Sequence, residues 1–138
     1  MTVERTFTVE EANAEVPRLG ALIERLQRGA LLLERERAAW VAAHGGANVT
    51  ADVLVRERPA ARTAAEDLGG AVAEFDRLGV QLKDLELGLV DFPSHQDGHV
   101  VLLCWQYGEP EVAYWHGTDE GFARRRPLAG VRARPPIQ

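Results

Sequence analysis

One helical repeat governs the first third of the chain. From residue 9 onward, apolar residues recur at alternating spacings of three and four, which places them along one side of an α-helix. These residues are Val9, Ala12, Val16, Leu19, Ile23, Leu26, Ala30 and Leu33. The pattern continues less cleanly to Trp40 and predicts a helix over 8–44, about 37 residues or about 55 Å long. A chain of this size must therefore fold around one long helix.

The predicted helix has clear signals at both ends and one interruption. Thr8-Val-Glu-Glu11 has the form of a capping box, in which Thr8 and Glu11 exchange bonds with each other's backbone N–H. Gly45-Gly46 ends the element. Pro17 lacks an amide hydrogen and its ring clashes with the preceding turn, so we expect either a kink or a fresh helix start there.

A second helix is predicted over 59–79, after a loop at 45–58. It begins at Pro59, and Gly79 stands where a left-handed C-terminal residue belongs. Its apolar face comprises Ala61, Ala65, Leu68, Val72 and Phe75. At about 30 Å this helix is shorter than the first, which overhangs it.

Three leucines of the first helix lie off its apolar side: Leu22, Leu31 and Leu32. Apolar side chains on a helix surface are stabilised by burial against another surface, and a partner subunit is the simplest source of that surface. The sequence therefore predicts a homodimer through the long helix. The alternative is that a sheet of the same chain covers them.

Composition places the chain among soluble globular proteins. It has 138 residues, 46% hydrophobic and 27% charged, and we expect a single domain over 1–138. No apolar stretch approaches the roughly 20 residues that span a bilayer, and no signal-peptide segment follows Met1. The single cysteine favours a cytoplasmic location, and the net charge of −5 argues against nucleic acid as a partner.

The region 80–116 carries most of the side chains from which a site could be built. Six of the nine aromatic residues and three of the four histidines lie between Asp91 and Phe122. Asp97-Gly98 between two apolar runs is a strong hairpin signal, and Tyr107–Pro110 makes a second turn. We predict a β-meander there, and a short turn or helix with a loose tail over 117–138.

The predicted fold class is α+β. A long, kinked α-helical hairpin packs on an antiparallel β-meander of three to four strands.

The two predicted turns assign each strand residue to a face of the sheet. The first turn pairs Asp91 with Cys104, and the second pairs Leu103 with Tyr114, because paired residues point to the same side. One face then carries Val90, Phe92, Val101, Leu103, Trp105, Val112, Tyr114 and His116. The other carries Leu89, Asp91, Leu102, Cys104, Gln106, Glu111, Ala113 and Trp115.

These faces restrict the chemistry that we expect. Cys104 and His116 point to opposite sides, which argues against a Cys–His dyad. Asp91 and Glu111 lie on the two outer strands, about 10 Å apart, too far to share a metal ion. We expect no metal site. The two carboxylates could still flank a small anionic or polar ligand together with Trp115 and Arg125.

Each candidate residue also has a purely structural explanation. His116 could act as a general base or metal ligand, or could simply bond a loop carbonyl at a strand end. Asp91 and Glu111 could instead be structural carboxylates, one of them paired with an arginine. Arg124–Arg126 could clamp an anion or form a solvated turn. Cys104 is expected to be an inert, buried thiol.

Several short motifs give the chain a resemblance to a known family. They are Phe7-Thr-Val-Glu-Glu-Ala-Asn13, Leu82-Lys-Asp84, Gly88-Leu-Val-Asp-Phe-Pro93, Leu103-Cys-Trp105, Gly108-Glu-Pro-Glu111, Tyr114-Trp-His116, Gly121-Phe-Ala123 and Arg125-Arg-Pro-Leu128. Together they resemble a bacterial family described only as domain of unknown function 2203. The sequence departs from that pattern at Gly117 and Arg124. The resemblance implies relatives and no activity.

Two functions remain open from the sequence. The favoured one is a non-catalytic binding or interaction module that uses the amphipathic sheet face, with Asp91, Glu111, Trp115 and Arg125 as ligand-binding residues. The alternative is a small metal-dependent or hydrolytic enzyme with His116 as base or ligand. No nucleophile motif or phosphate-binding loop supports an enzyme, and the sequence leaves the cofactor unknown.

Overall fold

The computed structural model describes residues 5–128. Within them the chain divides into two compact units, one formed by residues 5–23 and 75–128 and the other by Glu24–Glu74. The single domain expected over 1–138 stays a prediction. The loose tail is predicted from Leu128 onward, with Pro135-Pro136, and apart from Leu128 it lies outside the described residues.

The described residues form three helices and a five-stranded antiparallel sheet, which confirms the α+β class with more strands than expected. The helices are α1 Val9–Ala43, α2 Ala51–Glu57, α3 Pro59–Leu78 and a 3₁₀ turn Phe122–Arg124. The strands are β1 Gln81–Asp84, β2 Leu89–Gln96, β3 His99–Gln106, β4 Tyr114–His116 and β5 Arg126–Pro127. No helix within residues 5–128 has the length and apolar character that crossing a bilayer requires.

Helix α1 begins at the predicted capping box. The Glu11 amide donates to Thr8 Oγ1 at 3.1 Å, and the Thr8 amide donates to Glu11 Oε1 at 2.9 Å. The helix runs without interruption through Pro17 for 35 residues. Of the two alternatives at Pro17, a fresh helix start is therefore wrong.

The second unit holds α2, the C-terminal part of α1 and most of α3. A Cβ added at Gly29 would lie 2.9 Å from Leu68 Cγ, so the two helices approach closely where glycine leaves room. Helix α2 occupies half of the predicted loop 45–58. Thr50 caps it by accepting a bond from the Val53 amide, and Leu54 is buried beneath it.

The buried face of α3 shares Ala61 and Phe75 with the predicted one, whereas Ala65 and Leu68 are only partly buried. The buried residues are Ala61, Ala64, Ala71, Phe75 and Leu78. Val72, predicted on this face, is instead 47% exposed. A spacing of three from Leu68 leads to Ala71 rather than Val72, so the apolar stripe passes to one side of Val72. Gly79 ends the helix with the predicted left-handed φ of 76°.

Association through α1 stays a prediction, and it now rests on two residues. Leu31 and Leu32 are 53% and 50% exposed, whereas Leu22 is buried within the chain. We expect light scattering at tens of micromolar to give twice the chain mass of 15.2 kDa. Leu32→Glu should shift the protein toward monomer because it places a charge on the apolar patch. A monomeric parent protein at that concentration would contradict the prediction.

The sheet is a sequential meander, β1-β2-β3-β4-β5. The β2–β3 hairpin has the predicted register, with Gln96 opposite His99 and Asp91 opposite Cys104. Asp97 and Gly98 both have positive φ, 51° and 81°, as a two-residue type I′ turn requires. This hairpin could be predicted because its turn residues determine the register.

The predicted register of β4 is wrong by one residue. Leu103 lies opposite Trp115 rather than Tyr114, and Cys104 lies opposite Tyr114. The connection is held by Glu109, whose carboxylate accepts the Gln106 amide at 2.7 Å. Because side chains alternate along a strand, the shift moves every β4 residue to the other face of the sheet.

Candidate functional site

Three chemically active side chains meet on one face of the sheet. Asp91 on β2 and Cys104 on β3 are register partners, and His116 ends β4 one step along the same face. All three are buried, at 3%, 1% and 1% exposure. One candidate ligand atom from each lies within 4.8 Å of the other two. We call these residues the three-residue cluster.

The cluster corrects the main chemical exclusion drawn from the sequence. Cys104 and His116 were placed on opposite faces, and the shifted β4 register brings them to the same one. The same shift removes Trp115 from the Asp91 face and brings Tyr114 to it. The expectation that no metal site exists relied on the predicted register, which separates Cys104 from His116. The observed register places both residues on one face, so that reason no longer holds.

Both ring nitrogens of His116 have a partner. Nδ1 lies 2.8 Å from the Gly117 carbonyl oxygen, and Nε2 lies 3.0 Å from Asp91 Oδ1. A carbonyl oxygen can only accept, so Nδ1 carries a hydrogen and Nε2 points into the cluster. One proton then lies between Nε2 and the Asp91 carboxylate. This is the ring orientation that a metal ligand would need.

Burial changes the acidity of the other two groups. It raises the pKa of the Asp91 carboxyl, and the neighbouring His116 and Lys83 oppose that change. It also raises the pKa of the Cys104 thiol to about 12, although the nearby Arg125 charge acts in the opposite direction. The cause is the cost of a charge in a poorly solvated place. At neutral pH Cys104 is therefore a thiol, which hydrogen-bonds to Asp91.

A cleft of about 160 Å³ opens directly onto the cluster. Its lining comprises Lys83, Leu89, Asp91, Cys104, His116, Glu120, Gly121 and Phe122. A cavity of this volume is close to one known to admit benzene, so it accommodates a few waters or one small molecule. The cluster is thus buried but reachable from the cleft.

The loop after β4 fixes one wall of the cleft. Glu120 Oε1 accepts the Gly117 amide at 2.7 Å, and the Glu120 amide donates back to the Gly117 carbonyl at 3.1 Å. Arg126 holds both Glu120 oxygens, at 3.0 and 2.8 Å. The carbonyl that orients His116 therefore belongs to a loop whose shape is fixed by several bonds.

Arg125, a predicted ligand-binding residue, takes part in a buried ion pair. Its Nη2 donates to Glu109 Oε2 at 2.6 Å, and the two side chains are 8% and 6% exposed. The guanidinium carbon lies 3.8 Å from the Tyr114 ring centroid and 4.6 Å from that of Phe122. An ion pair of one arginine with Asp91 or Glu111 was the structural alternative from the sequence, and Arg125 pairs with Glu109 instead.

The remaining predicted ligand-binding residues lie apart from the cluster. Trp115 lines a separate cavity of about 480 Å³ on the other face, and its ring lies 4.6 Å from the Arg126 guanidinium carbon. Glu111 lies in the connection between β3 and β4 and does not line the cleft. The structure therefore does not bring Asp91, Glu111 and Trp115 together on one face.

Sequence reasoning missed two residues of the site. Cys104 was expected to be inert, although its predicted position opposite Asp91 was correct. Lys83 was passed over, although it is the single lysine among 16 basic residues. Two signals were available: that rarity, and the position of Lys83 within the Leu82-Lys-Asp84 motif.

The geometry favours metal coordination over nucleophilic catalysis. A Cys–His dyad needs a ring nitrogen able to take the thiol proton, and both nitrogens of His116 are engaged elsewhere. A tetrahedral ion with bonds of about 2.0–2.3 Å separates its ligand atoms by about 3.3–3.6 Å. The distance between His116 Nε2 and Asp91 Oδ1, 3.0 Å, is close to that separation. Since all three ligand atoms lie within 4.8 Å of one another, small side-chain movements toward a common centre would place them around an ion.

Comparison with known proteins shows the family of the chain and assigns no activity to it. A family model described as "Uncharacterized conserved protein (DUF2203)" matches residues 5–128. Neither a curated protein nor a solved structure matches the chain.

Proposed function

Since the chain belongs to the family of uncharacterized conserved proteins DUF2203, we propose its function from the site: it binds a transition-metal ion, zinc above all, through Asp91, Cys104 and His116. The fourth coordination position faces the cleft and is free for water or a small ligand. The protein is on this proposal a metal-binding protein with an open site.

One observation carries the proposal. A carboxylate, a thiol and an imidazole, all buried, have their ligand atoms within 4.8 Å of one another. Without a metal the three groups hydrogen-bond to one another, and a cation would compensate two of them as anions. The Gly117 carbonyl, which fixes the His116 ring, supplies the outer support that metal-binding histidines usually have.

The donor set favours zinc over harder cations. Magnesium and calcium prefer oxygen ligands throughout, whereas the set here offers one sulfur, one nitrogen and one oxygen. Zinc accepts all three donor types in a tetrahedral arrangement. Coordination would also give Cys104 a role as a thiolate despite its raised pKa, because a metal-bound thiol loses its proton.

The proposal keeps part of each function drawn from the sequence. It retains a binding role on the sheet face that carries Asp91, with a metal ion as the first ligand. It retains His116 as a metal ligand from the alternative. An open position on zinc supports hydrolytic chemistry in other proteins, but the Glu120 carboxylate that lines the cleft is bonded to Arg126 and the Gly117 amide. We therefore propose binding and assign no reaction.

Metal analysis tests this proposal directly. Protein purified without chelator and dialysed should contain close to one equivalent of zinc, measured by mass spectrometry of the elements. After replacement of zinc by cobalt, a sulfur-to-cobalt charge-transfer band should appear in the near ultraviolet. Asp91→Asn, Cys104→Ser and His116→Ala should each lower zinc affinity more than about 100-fold, since loss of an outer-shell partner alone costs about 10–100-fold.

A matched control separates the cluster from surface histidines. His95 and His99 flank the β2–β3 turn and are exposed, so a double change to Gln removes imidazoles without touching the cluster. That variant should bind zinc like the parent. Zinc binding that survives all three cluster variants, or that disappears with the surface pair, would overturn the proposal. Circular dichroism of each variant establishes that a loss of binding is not a loss of fold.

A further inference from the structure

The strand beside the cluster carries an irregularity at the single lysine. In the β1–β2 pairing, Leu82 lies opposite Val90 and Asp84 opposite Leu89, so Lys83 has no partner of its own. An extra residue of this kind bends a strand and redirects its side chain, and such bulges are frequent beside functional sites. Here the redirected side chain lines the cleft above the cluster.

Lys83 is the cation that a ligand in this cleft would meet. Beyond the cluster, the lining contains two charged side chains, Lys83 and Glu120. Both Glu120 oxygens are bonded to Arg126, and one also accepts the Gly117 amide. Lys83 is exposed, and its ammonium makes no hydrogen bond or ion pair in the part of the chain that the structure describes.

The rest of the lining restricts the ligand to a small molecule with an apolar part. Leu89 and Phe122 contribute apolar wall, and the volume is about 160 Å³. A single ammonium over an apolar wall matches a monoanion with an apolar body better than a strongly hydrated dianion such as phosphate. A monocarboxylate of roughly the size of benzoate meets these requirements.

We propose that the cleft binds a small monocarboxylate, with one carboxylate oxygen on the open metal position and the Lys83 ammonium as counter-charge. This inference rests on the proposed metal site, since the metal supplies the first contact. Leu89 and Phe122 cover the apolar body. Lys83 acts as a specificity residue that selects an anion over a neutral molecule of the same shape.

Cobalt-substituted protein gives a test that reports metal and ligand separately. The charge-transfer band reports the metal, and the visible d–d bands report the ligand in the open position. Titration with benzoate should change the d–d bands and leave the charge-transfer band in place, while benzamide of the same shape should bind much more weakly. With the protein saturated with cobalt, Lys83→Gln should weaken benzoate about fivefold, the upper range for an exposed ion pair.

Lys83→Arg is the matched control, because it keeps the charge and should retain most of the benzoate affinity. Benzoate binding that is equal in the parent and in Lys83→Gln would overturn the role of Lys83. A cobalt protein whose d–d bands respond to phosphate but not to benzoate would overturn the ligand class. A protein that shows no charge-transfer band would instead refute the metal site itself, so the two failures are distinguishable.

Discussion

Truncating Trp105 to alanine should lower the free energy of unfolding by about 3–5 kcal/mol, the range for large aromatic side chains removed from a core. Trp105 is 2% exposed, its Nε1 donates to the Glu109 carbonyl at 3.0 Å, and its ring packs edge-on against Tyr107. The change removes apolar contacts and also leaves the Glu109 carbonyl without this donor. Urea denaturation followed by circular dichroism measures the loss.

Trp115→Ala is the internal comparison for this measurement. Trp115 is partly exposed, borders a cavity and stacks beneath Arg126, so its removal leaves less unfilled volume. We expect it to cost clearly less than Trp105→Ala. The two tryptophans lie on the same face of the sheet and differ in burial, so equal losses would contradict the role given to burial.

The second large effect should come from the buried ion pair between Glu109 and Arg125. Glu109→Gln leaves the Arg125 charge buried without its counter-charge, and breaking a buried pair from one side costs about 3–5 kcal/mol. Two further Arg125 nitrogens, Nε and Nη1, are buried without a hydrogen-bond partner, so the Glu109 carboxylate is the main compensation for this charge. Thermal and urea unfolding should both register the loss.

Two comparisons isolate the contribution of burial. Adding Arg125→Met to Glu109→Gln should cost less than the sum of the single changes, because no charge is then left unpaired. Glu36→Gln removes one partner of the Arg58–Glu36 pair, whose side chains are 35% and 21% exposed. That change should cost about 1 kcal/mol or less, as pairs near the surface do. Similar costs for Glu36→Gln and Glu109→Gln would contradict this account of the buried pair.

The elements that sequence reasoning predicted correctly are those set by nearby residues. The start of α1 follows from Thr8 and Glu11, three positions apart, and the β2–β3 register follows from Asp97-Gly98. In each case the residues that determine the structure lie within a few positions of one another. Helix α2 was missed because seven residues are too few for a periodic pattern.

The β4 register could not be predicted because a distant residue takes part in setting it. The Val112 amide donates to Asn13 Oδ1 at 2.7 Å, across 99 positions of sequence, and Glu109 accepts the Gln106 amide. These bonds lengthen the connection by one residue beyond the assumed four-residue turn. That single residue decided whether Cys104 and His116 could meet, so the candidate site was lost from the prediction although Asp91 and His116 had both been named.

The sequential order of the meander has a consequence for how the protein folds. Asp91, Cys104 and His116 come from consecutive strands, and only 25 positions separate the first from the last. Contacts between close positions form early, because the entropy lost in closing a chain loop grows with loop length. A metal ion that binds these side chains during folding would join the three strands before α1 has packed. Metal supply would then act on the rate of folding as well as on the finished protein.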